Sequence, residues 1–384
     1  MTEKPRRPHL TASKVQHKPD PVLVIHGGAG IFDRSKSTPK QQEIYKSALR
    51  NALLAGHQVL KEGGTAVEAS VAAVVSMEDC PLFNCAKGAV FNAAGKNELE
   101  ASIMVSKPPV THPHLPVARR GFSATLLTHT KNPSKLVEAL YTRPDLAPHA
   151  FLSGMTAEVE LGQEKLAIEL VDPSYYYTEA RWKEHRRGLG LPEEQGPLSR
   201  PSSSTDTLAE TSPLDLMPKG TVGAVALDAY GCISVVTSTG GKTNKLVGRI
   251  GDTPSMGSGF WAEEWIPKKG SHVTRVLRRI LGLRSKWPQT RGVGVSGTGD
   301  GDYFIRQSTC SMLGARMKFL GRSIQRAADE VTDALEHDGG IGGVIALDLQ
   351  GNVAFSLNCS GMYRGMIKLD GVPLTAIFRE DPLE

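Results

Sequence analysis

The chain has 384 residues, of which 40% are hydrophobic and 22% charged, with a formal charge of +5. This is the make-up of a soluble globular protein of one large domain or two ordinary ones. The charge is too small for this length to argue for nucleic acid, and no apolar run approaches the ~20 residues of a membrane helix.

In chain order, residues 1–20 are basic and polar without an apolar core. They read as a disordered tail and not as a secretory signal. "PVLVIHGGAG" (21–30) is a buried strand that ends in a glycine turn. A helix follows, capped by Thr38 with Pro39 in its first turn and ended by Gly63-Gly64. "TAVEASVAAVVSMED" (65–79) is a second, strongly apolar helix. Residues 88–105 read as a hairpin around Ala94–Asn97. "GFSATLL" opens another element, and 132–142 is a helix. From Glu184 the chain turns rich in Ser, Pro, Gly and charge, so 184–220 is expected to be a flexible linker. Cys80, Cys85, Cys232, Cys310 and Cys359 match no zinc or redox spacing and read as reduced thiols of a cytoplasmic protein.

Order resumes at "TVGAVALDAYGCISVVTSTGG" (221–241), two strands joined by Asp228–Gly231. "GIGGVIALDLQGNVAFSLNCSGM" (340–362) repeats it: Gly220 aligns with Gly340, Gly223 with Gly343, "ALD" with "ALD" and Gly231 with Gly351. Two helical stretches lie between the hairpins. Strands and helices in this order imply an α+β protein of antiparallel sheets between helices, with 21–384 as a single domain. The glycines shared by both hairpins are scaffold. Where the second has Ile341, the first has Thr221, so the hairpin itself does not require Thr221.

A Thr hydroxyl is a weak nucleophile until a base activates it. Were the Gly220–Thr221 bond cut, Thr221 would carry a free α-amine, a base titrating at roughly 7.7–8.0. Nucleophile and base would then belong to one residue. The same hydroxyl could make the cut by attacking the Gly220 carbonyl, where no Cβ obstructs it. Gly-Thr at the head of a strand is common, so the neighbours decide. In "TSTGGKTNKLVGRIGDTP" (237–254), Arg249 and Asp252 form either a surface salt bridge or a clamp for the carboxylate and amine of an α-amino acid. In "VSGTGDGDYFIR" (295–306), Thr298 and Gly299 form either a glycine turn or an oxyanion site. No Gly-Lys-Ser/Thr follows, so this is not a phosphate loop.

"HGGAG", "CPLFNCAKGAVFN", "ELEASIM", "GTVGAVALD", "STGGKTNKLVGRIGDTP", "SGTGDGDYFIR" and "GGVIALDLQGNVAFSLNCSGMYRG" occur in this order. The set resembles the plant-type L-asparaginase and isoaspartyl aminopeptidase family of N-terminal nucleophile (Ntn) hydrolases. The likeness covers most of 21–130 and 218–370. It implies a four-layer αββα sandwich and autocatalytic cleavage into an α subunit, 1–220, and a β subunit, 221–384. It further implies a homodimer of such αβ units. By motif position, Thr221 matches the nucleophile and Thr239 the threonine that orients it. Thr298 and Gly299 match the oxyanion hole. Arg249 and Asp252 match the clamp on the substrate's α-carboxylate and α-amine. Gly301 matches a glycine lining the site, and Asn84 an asparagine near the nucleophile. The loop Met77–Lys87 resembles one that binds sodium through backbone carbonyls, here those of Met77, Glu78, Cys80, Phe83, Cys85 and Lys87. No organic cofactor is implied.

The resemblance implies hydrolysis of asparagine or of β-aspartyl (isoaspartyl) peptides, a small-molecule or dipeptide substrate. The alternatives are a glycosylasparaginase-like hydrolase and an unprocessed, non-catalytic binding relative. The family commonly has Asp at Glu100, Asp-Gly at Val105-Ser106 and often Glu at Asp302. Residues 263–292 exceed the usual short connection. Val276, Leu277, Ile280 and Leu281 are at helical spacing there, so an extra helix near the substrate side is expected.

Overall fold

A computed structural model describes residues 19–192, 220–267 and 290–384. The expected tail lies outside the described residues up to position 18. So do 193–219 of the expected linker and the extra helix expected from Val276 to Leu281.

Twelve strands form two sheets among the described residues. They are β1 (Val22–Gly30), β2 (Leu99–Val105), β3 (Gly121–Leu127), β4 (Phe151–Ser153), β5 (Val222–Leu227), β6 (Ile233–Thr239), β7 (Phe260–Trp265), β8 (Arg291–Gly299), β9 (Gly342–Asp348), β10 (Val353–Leu357), β11 (Gly361–Ile367) and β12 (Leu374–Phe378). The eight-stranded sheet runs β12-β11-β1-β5-β6-β2-β3-β4 and the four-stranded sheet β10-β9-β8-β7. Pairing is antiparallel except between β3 and β4.

The alternation of side chains along each strand assigns residues to separate cores. Ala224 and Ala226 of β5 join Leu23, Ile25, Leu49, Val67 and Val74 on the helix-covered face of the larger sheet. The covering helices are α1 (Pro39–Lys61), α2 (Ala66–Glu78) and α3 (Pro133–Thr142). Val225 and Leu227, one step out of phase, join Val24, Phe260, Ile345 and Leu347 between the two sheets. Val293, Val295 and Ala346 face Leu313, Val331 and Leu335, on α6 (Thr309–Leu320) and α7 (Ile324–His337). Burial on both faces explains why β5 and the first half of β1 read as continuous apolar runs.

Helix starts follow their sequence signals. Thr38 with Gln41, and Thr65 with Glu68, form reciprocal capping boxes at α1 and α2.

Two expectations are corrected. Residues 88–98 form no strand; Asn92 folds them into a turn by accepting the N–H groups of Ala94 and Lys96, both at 3.0 Å. β2 pairs instead with β3 and β6. Second, the chain is helical past Glu184: α4 (Glu179–Gly188) buries Arg181, Glu184 and His185. Arg181 Nε donates to the Gly88 carbonyl at 2.8 Å, and its guanidinium pairs with Glu184 at 2.9 Å. Charge-rich composition hid a helix that buries its charges in pairs. Residues 263–265 belong to β7 and 291–292 to β8, which confines any insertion between those strands to the span they enclose.

Candidate active site

Thr221 immediately precedes β5. Register places Val222 opposite Ser238, so Thr221 faces Thr239 across the ladder. Thr221 is buried at 6% exposure, and its Oγ1 lies 3.0 Å from Thr253 Oγ1. Its carbonyl is 2.9 Å from His26 Nδ1. A carbonyl only accepts, so Nδ1 carries the hydrogen. Burial lowers the His26 pKa to about 3, so the ring is neutral and Nε2 accepts from the Ser296 hydroxyl at 2.7 Å. This fully enclosed chain of bonds fixes the backbone at the head of β5.

Thr298 stands behind Gly220. The Ala29 N–H donates to Thr298 Oγ1 at 3.2 Å, which occupies one lone pair and leaves the hydroxyl proton free to donate elsewhere. A Cβ at position 220 would overlap that hydroxyl and come within 3.0 Å of the Ala29 nitrogen. Glycine is therefore required there for space. Gly299 has φ +142°, and a Cβ would overlap the Ile341 carbonyl, so both conformation and room demand glycine.

These residues open onto a cavity of about 680 Å³ lined by Gly220, Thr221, Thr239, Gly299 and Gly301, with Arg249 and Asp252 on its wall. The Arg249 guanidinium donates to Asp302 at 2.9 Å, while Asp252 Oδ2 is buried without a hydrogen-bond partner. Burial first, then the nearby Glu100 charge, raises the Asp252 pKa to about 7. An unpartnered buried carboxylate on a cavity wall calls for a cation. Opposite signs on one wall suit a zwitterion: the guanidinium for its carboxylate, Asp252 for its ammonium.

Asn84 is set back from the cavity. Its Nδ2 donates to the Gly241 carbonyl at 2.8 Å and its Oδ1 accepts from the Val90 N–H at 3.0 Å, so it buttresses the turn after β6. Thr239 Oγ1 accepts from the Gly241 N–H at 2.9 Å, which holds the same turn from the other side.

The loop Met77–Lys87 is closed on itself: Lys87 N–H donates to the Glu78 carbonyl at 3.0 Å, and Cys80 N–H to that of Met77 at 3.2 Å. The carbonyls of Pro81 and Phe83 crowd Gly88, where a Cβ would lie within 2.5 and 2.8 Å of them. The Glu78 carboxyl is used elsewhere, accepting from the Ser134 N–H and hydroxyl at 3.0 and 2.7 Å. Burial raises its pKa to about 7. The donors left for an ion are carbonyl oxygens, which suit a hard cation. Among the described residues, no group of three or more His, Cys, Asp or Glu side chains is set to hold a metal.

Sequence reasoning missed His26, Ser296 and Thr253. His26 carried a signal, a histidine ending an apolar run before two glycines. Thr253 and Ser296 stand inside two of the quoted motifs, but hydroxyls in buried strands and turns are common and nothing local singles these two out.

Two buried sheets with covering helices bring a threonine-headed strand, an arginine and a buried carboxylate to one cavity. The sequence profile of the family described as Asparaginase matches residues 19–266 and 286–377, and the chain belongs to that family. It is similar to an isoaspartyl peptidase of Escherichia coli, 33% identical over 364 residues, covering 94% of this chain and 96% of that one. The Salmonella typhimurium isoaspartyl peptidase is 32% identical over 361 residues, with 94% and 99% covered. An isoaspartyl peptidase/L-asparaginase of Xenopus laevis is 29% identical over 359 residues, with 91% and 93% covered.

Proposed function

We propose that the protein is a threonine amidohydrolase that releases aspartate from β-aspartyl peptides and L-asparagine, after cutting its own chain between Gly220 and Thr221. The observation that carries this reading is the placement of Gly220, Thr221 and the Arg249/Asp252 pair around one cavity, with the Thr298 hydroxyl against Gly220. The names of the relatives support the reaction class.

In the uncut chain, Gly220 rests against the Thr298 hydroxyl. Attack of Thr221 Oγ1 on the Gly220 carbonyl carbon forms a C–O bond, and the oxyanion takes a hydrogen bond from Thr298. The C–N bond then breaks, the Thr221 nitrogen gaining the proton, and water cleaves the resulting ester. This yields subunits 1–220 and 221–384, the latter with a free amine on Thr221.

In the mature site the Arg249 guanidinium holds the substrate's α-carboxylate and Asp252 its ammonium. The side-chain amide then faces Thr221. The Thr221 hydroxyl attacks that carbonyl carbon while its own amine takes the proton. Thr298 and the Gly299 N–H stabilise the oxyanion. The amine returns the proton to the leaving nitrogen, and water hydrolyses the β-aspartyl ester. A cavity of about 680 Å³ leaves room beyond the amide for a second residue, which supports dipeptides alongside asparagine. Sodium held by the carbonyls of Met77–Lys87 would stiffen the loop from which Asn84 reaches the Gly241 turn. The two sheets with helices on their outer faces support the αββα arrangement of Ntn hydrolases.

The test is to incubate purified protein with asparagine, β-aspartyl dipeptides and glycosylasparagine, and to measure released aspartate. Intact mass on the same sample reports the cut. Release from the first two with two chains of 220 and 164 residues' mass is expected. An intact chain that releases nothing would overturn the reading.

A further inference from the structure

Next to Asp252 lies a second carboxylate that the mechanism above does not use. Glu100, on β2 opposite Thr239 in the ladder, lines the same cavity at 1% exposure. Its Oε1 accepts from the Gly251 N–H at 2.8 Å, while Oε2 is buried without a partner, as is Asp252 Oδ2. Glycines pack directly against these carboxylates, where a side chain would collide with them. A Cβ on Gly251 would lie 3.0 Å from Glu100 Oε2 and 2.8 Å from Arg249 Nη1. A Cβ on Gly301 would overlap Asp252 Oδ1. One on Gly259 would reach Asp252 Oδ2 at 2.9 Å. Gly251, Gly259 and Gly301 all lack positive φ, so at these positions space is what excludes a side chain.

We propose that Glu100 is a specificity-determining residue which, together with Asp252, receives the α-ammonium of the substrate and selects for a free amine. The inference rests on the reading of Thr221 as a β-aspartyl amide hydrolase. Two neighbouring carboxylates in a buried site ionise together only as far as cations offset them, and Lys245 and Arg249 offset them in part. Without ligand, the pair is part-protonated near neutral pH, because the Asp252 pKa is raised to about 7. The substrate's ammonium takes the proton's place, so binding releases protons to solvent. The groups facing the pair from the other elements are Lys245 and Arg249 after β6, Asp302 on α5 (Gly301–Gln307), the Thr125 hydroxyl on β3 and Cys310 on α6. Lys245 is buried beside Glu100, with its ammonium donating to the Glu98 carbonyl at 2.7 Å, and offsets part of the Glu100 charge. Burial raises the pKa of Glu100 as well as that of Asp252.

The experiment is calorimetric binding of L-aspartate and of succinate, which lacks the amine, in two buffers of different ionisation enthalpy. Wild-type protein should prefer L-aspartate and release a proton on binding it. Glu100→Gln, which keeps the shape and removes the charge, should cut that preference about 10- to 100-fold and abolish the buffer dependence. It should leave succinate affinity and the 220/221 cut unchanged. Glu100→Asp, which keeps the charge, should retain part of the preference. Unaltered preference and proton release in Glu100→Gln would overturn the proposal. So would equal losses in Glu100→Gln and Glu100→Asp, which mark packing alone. Wild-type protein that neither binds L-aspartate nor hydrolyses a β-aspartyl dipeptide would instead overturn the proposed function.

Discussion

The hairpins β5–β6 and β9–β10 share one skeleton and differ in what surrounds it. Asp228 Oδ1 accepts the N–H groups of Tyr230 and Cys232, both at 2.9 Å; Asp348 Oδ1 accepts those of Gln350 and Asn352 at the same distances. Gly231 and Gly351 close the two turns at φ +73° and +77°. The surroundings diverge. β5 is central in the larger sheet, whereas β10 is an edge strand of the smaller one. The gap left by Gly223 admits the His26 ring and the Ser296 hydroxyl, while that left by Gly343 admits Leu357 and Met362. One scaffold therefore supports a polar network behind Thr221 and plain packing behind Ile341. On the proposed mechanism, the chemistry resides in the residue at the head of the strand and in what holds it.

The sharpest way to break this contrast is to exchange the head residues' chemistry. Thr221→Ala should give a chain of full length on denaturing electrophoresis and no aspartate release. Ile341→Ala, on the same cavity, should still be cut and active. A Thr221→Ala chain that splits in two would remove Thr221 from the mechanism. The next effect is on β8, where Thr298 pairs with Gly343 of the second hairpin while its hydroxyl lies against Gly220, just before the first. Thr298→Val should lower kcat by ~10²–10³, the usual cost of one oxyanion donor. An unchanged kcat would place the oxyanion elsewhere.

The two glycine-turn hairpins and the capped helices were legible because each rests on local rules: glycine at positive φ, Asp in turns, Thr at helix starts. The residues that finish the site were not. His26 meets Thr221 across 195 residues of sequence and Ser296 across 270. Strand register brings them together, and no pattern within a window encodes it. The helix α4 was hidden for a different reason. Its buried Arg181 and Glu184 pair with each other within the helix, and Arg181 also reaches the distant Gly88 carbonyl; composition reports charge without reporting pairing.

The pH response separates the site from the scaffold more gently. The Asp252 pKa is raised to about 7, above the roughly 3.9 of an unfolded Asp. The folded protein then holds a proton that the unfolded chain has already released between those values. Asp252 therefore lowers stability as pH rises from about 4 to 7, and has no such effect below that window. Activity runs the other way, because the carboxylate that receives an ammonium forms as pH rises through about 7. The expected result is a kcat/KM that climbs across pH 7. Asp252→Asn should be more resistant to heat than wild type at pH 8 and similar to it at pH 4, with its residual activity free of that acid limb. A wild-type profile in Asp252→Asn would assign the limb to another group.

The smallest effect compares the two turns directly. Asp348 Oδ2 is satisfied within its own hairpin by the Asn352 amide at 2.9 Å. Asp228 Oδ2 reaches out of its hairpin to the Ala66 N–H at the start of α2, also at 2.9 Å. Asp228→Ala therefore strips two turn N–H groups and a buried helix terminus, whereas Asp348→Ala strips the turn alone. An unsatisfied buried donor costs roughly 1–3 kcal/mol. Burial raises the Asp228 pKa, so removing the carboxylate also relieves some desolvation, and the gap belongs at the lower end of that range. Chemical denaturation should find Asp228→Ala less stable than Asp348→Ala by about 1 kcal/mol. Equal losses would mean that the first hairpin owes its place against α2 to apolar packing, and that the Asp228 bond to the helix adds nothing net.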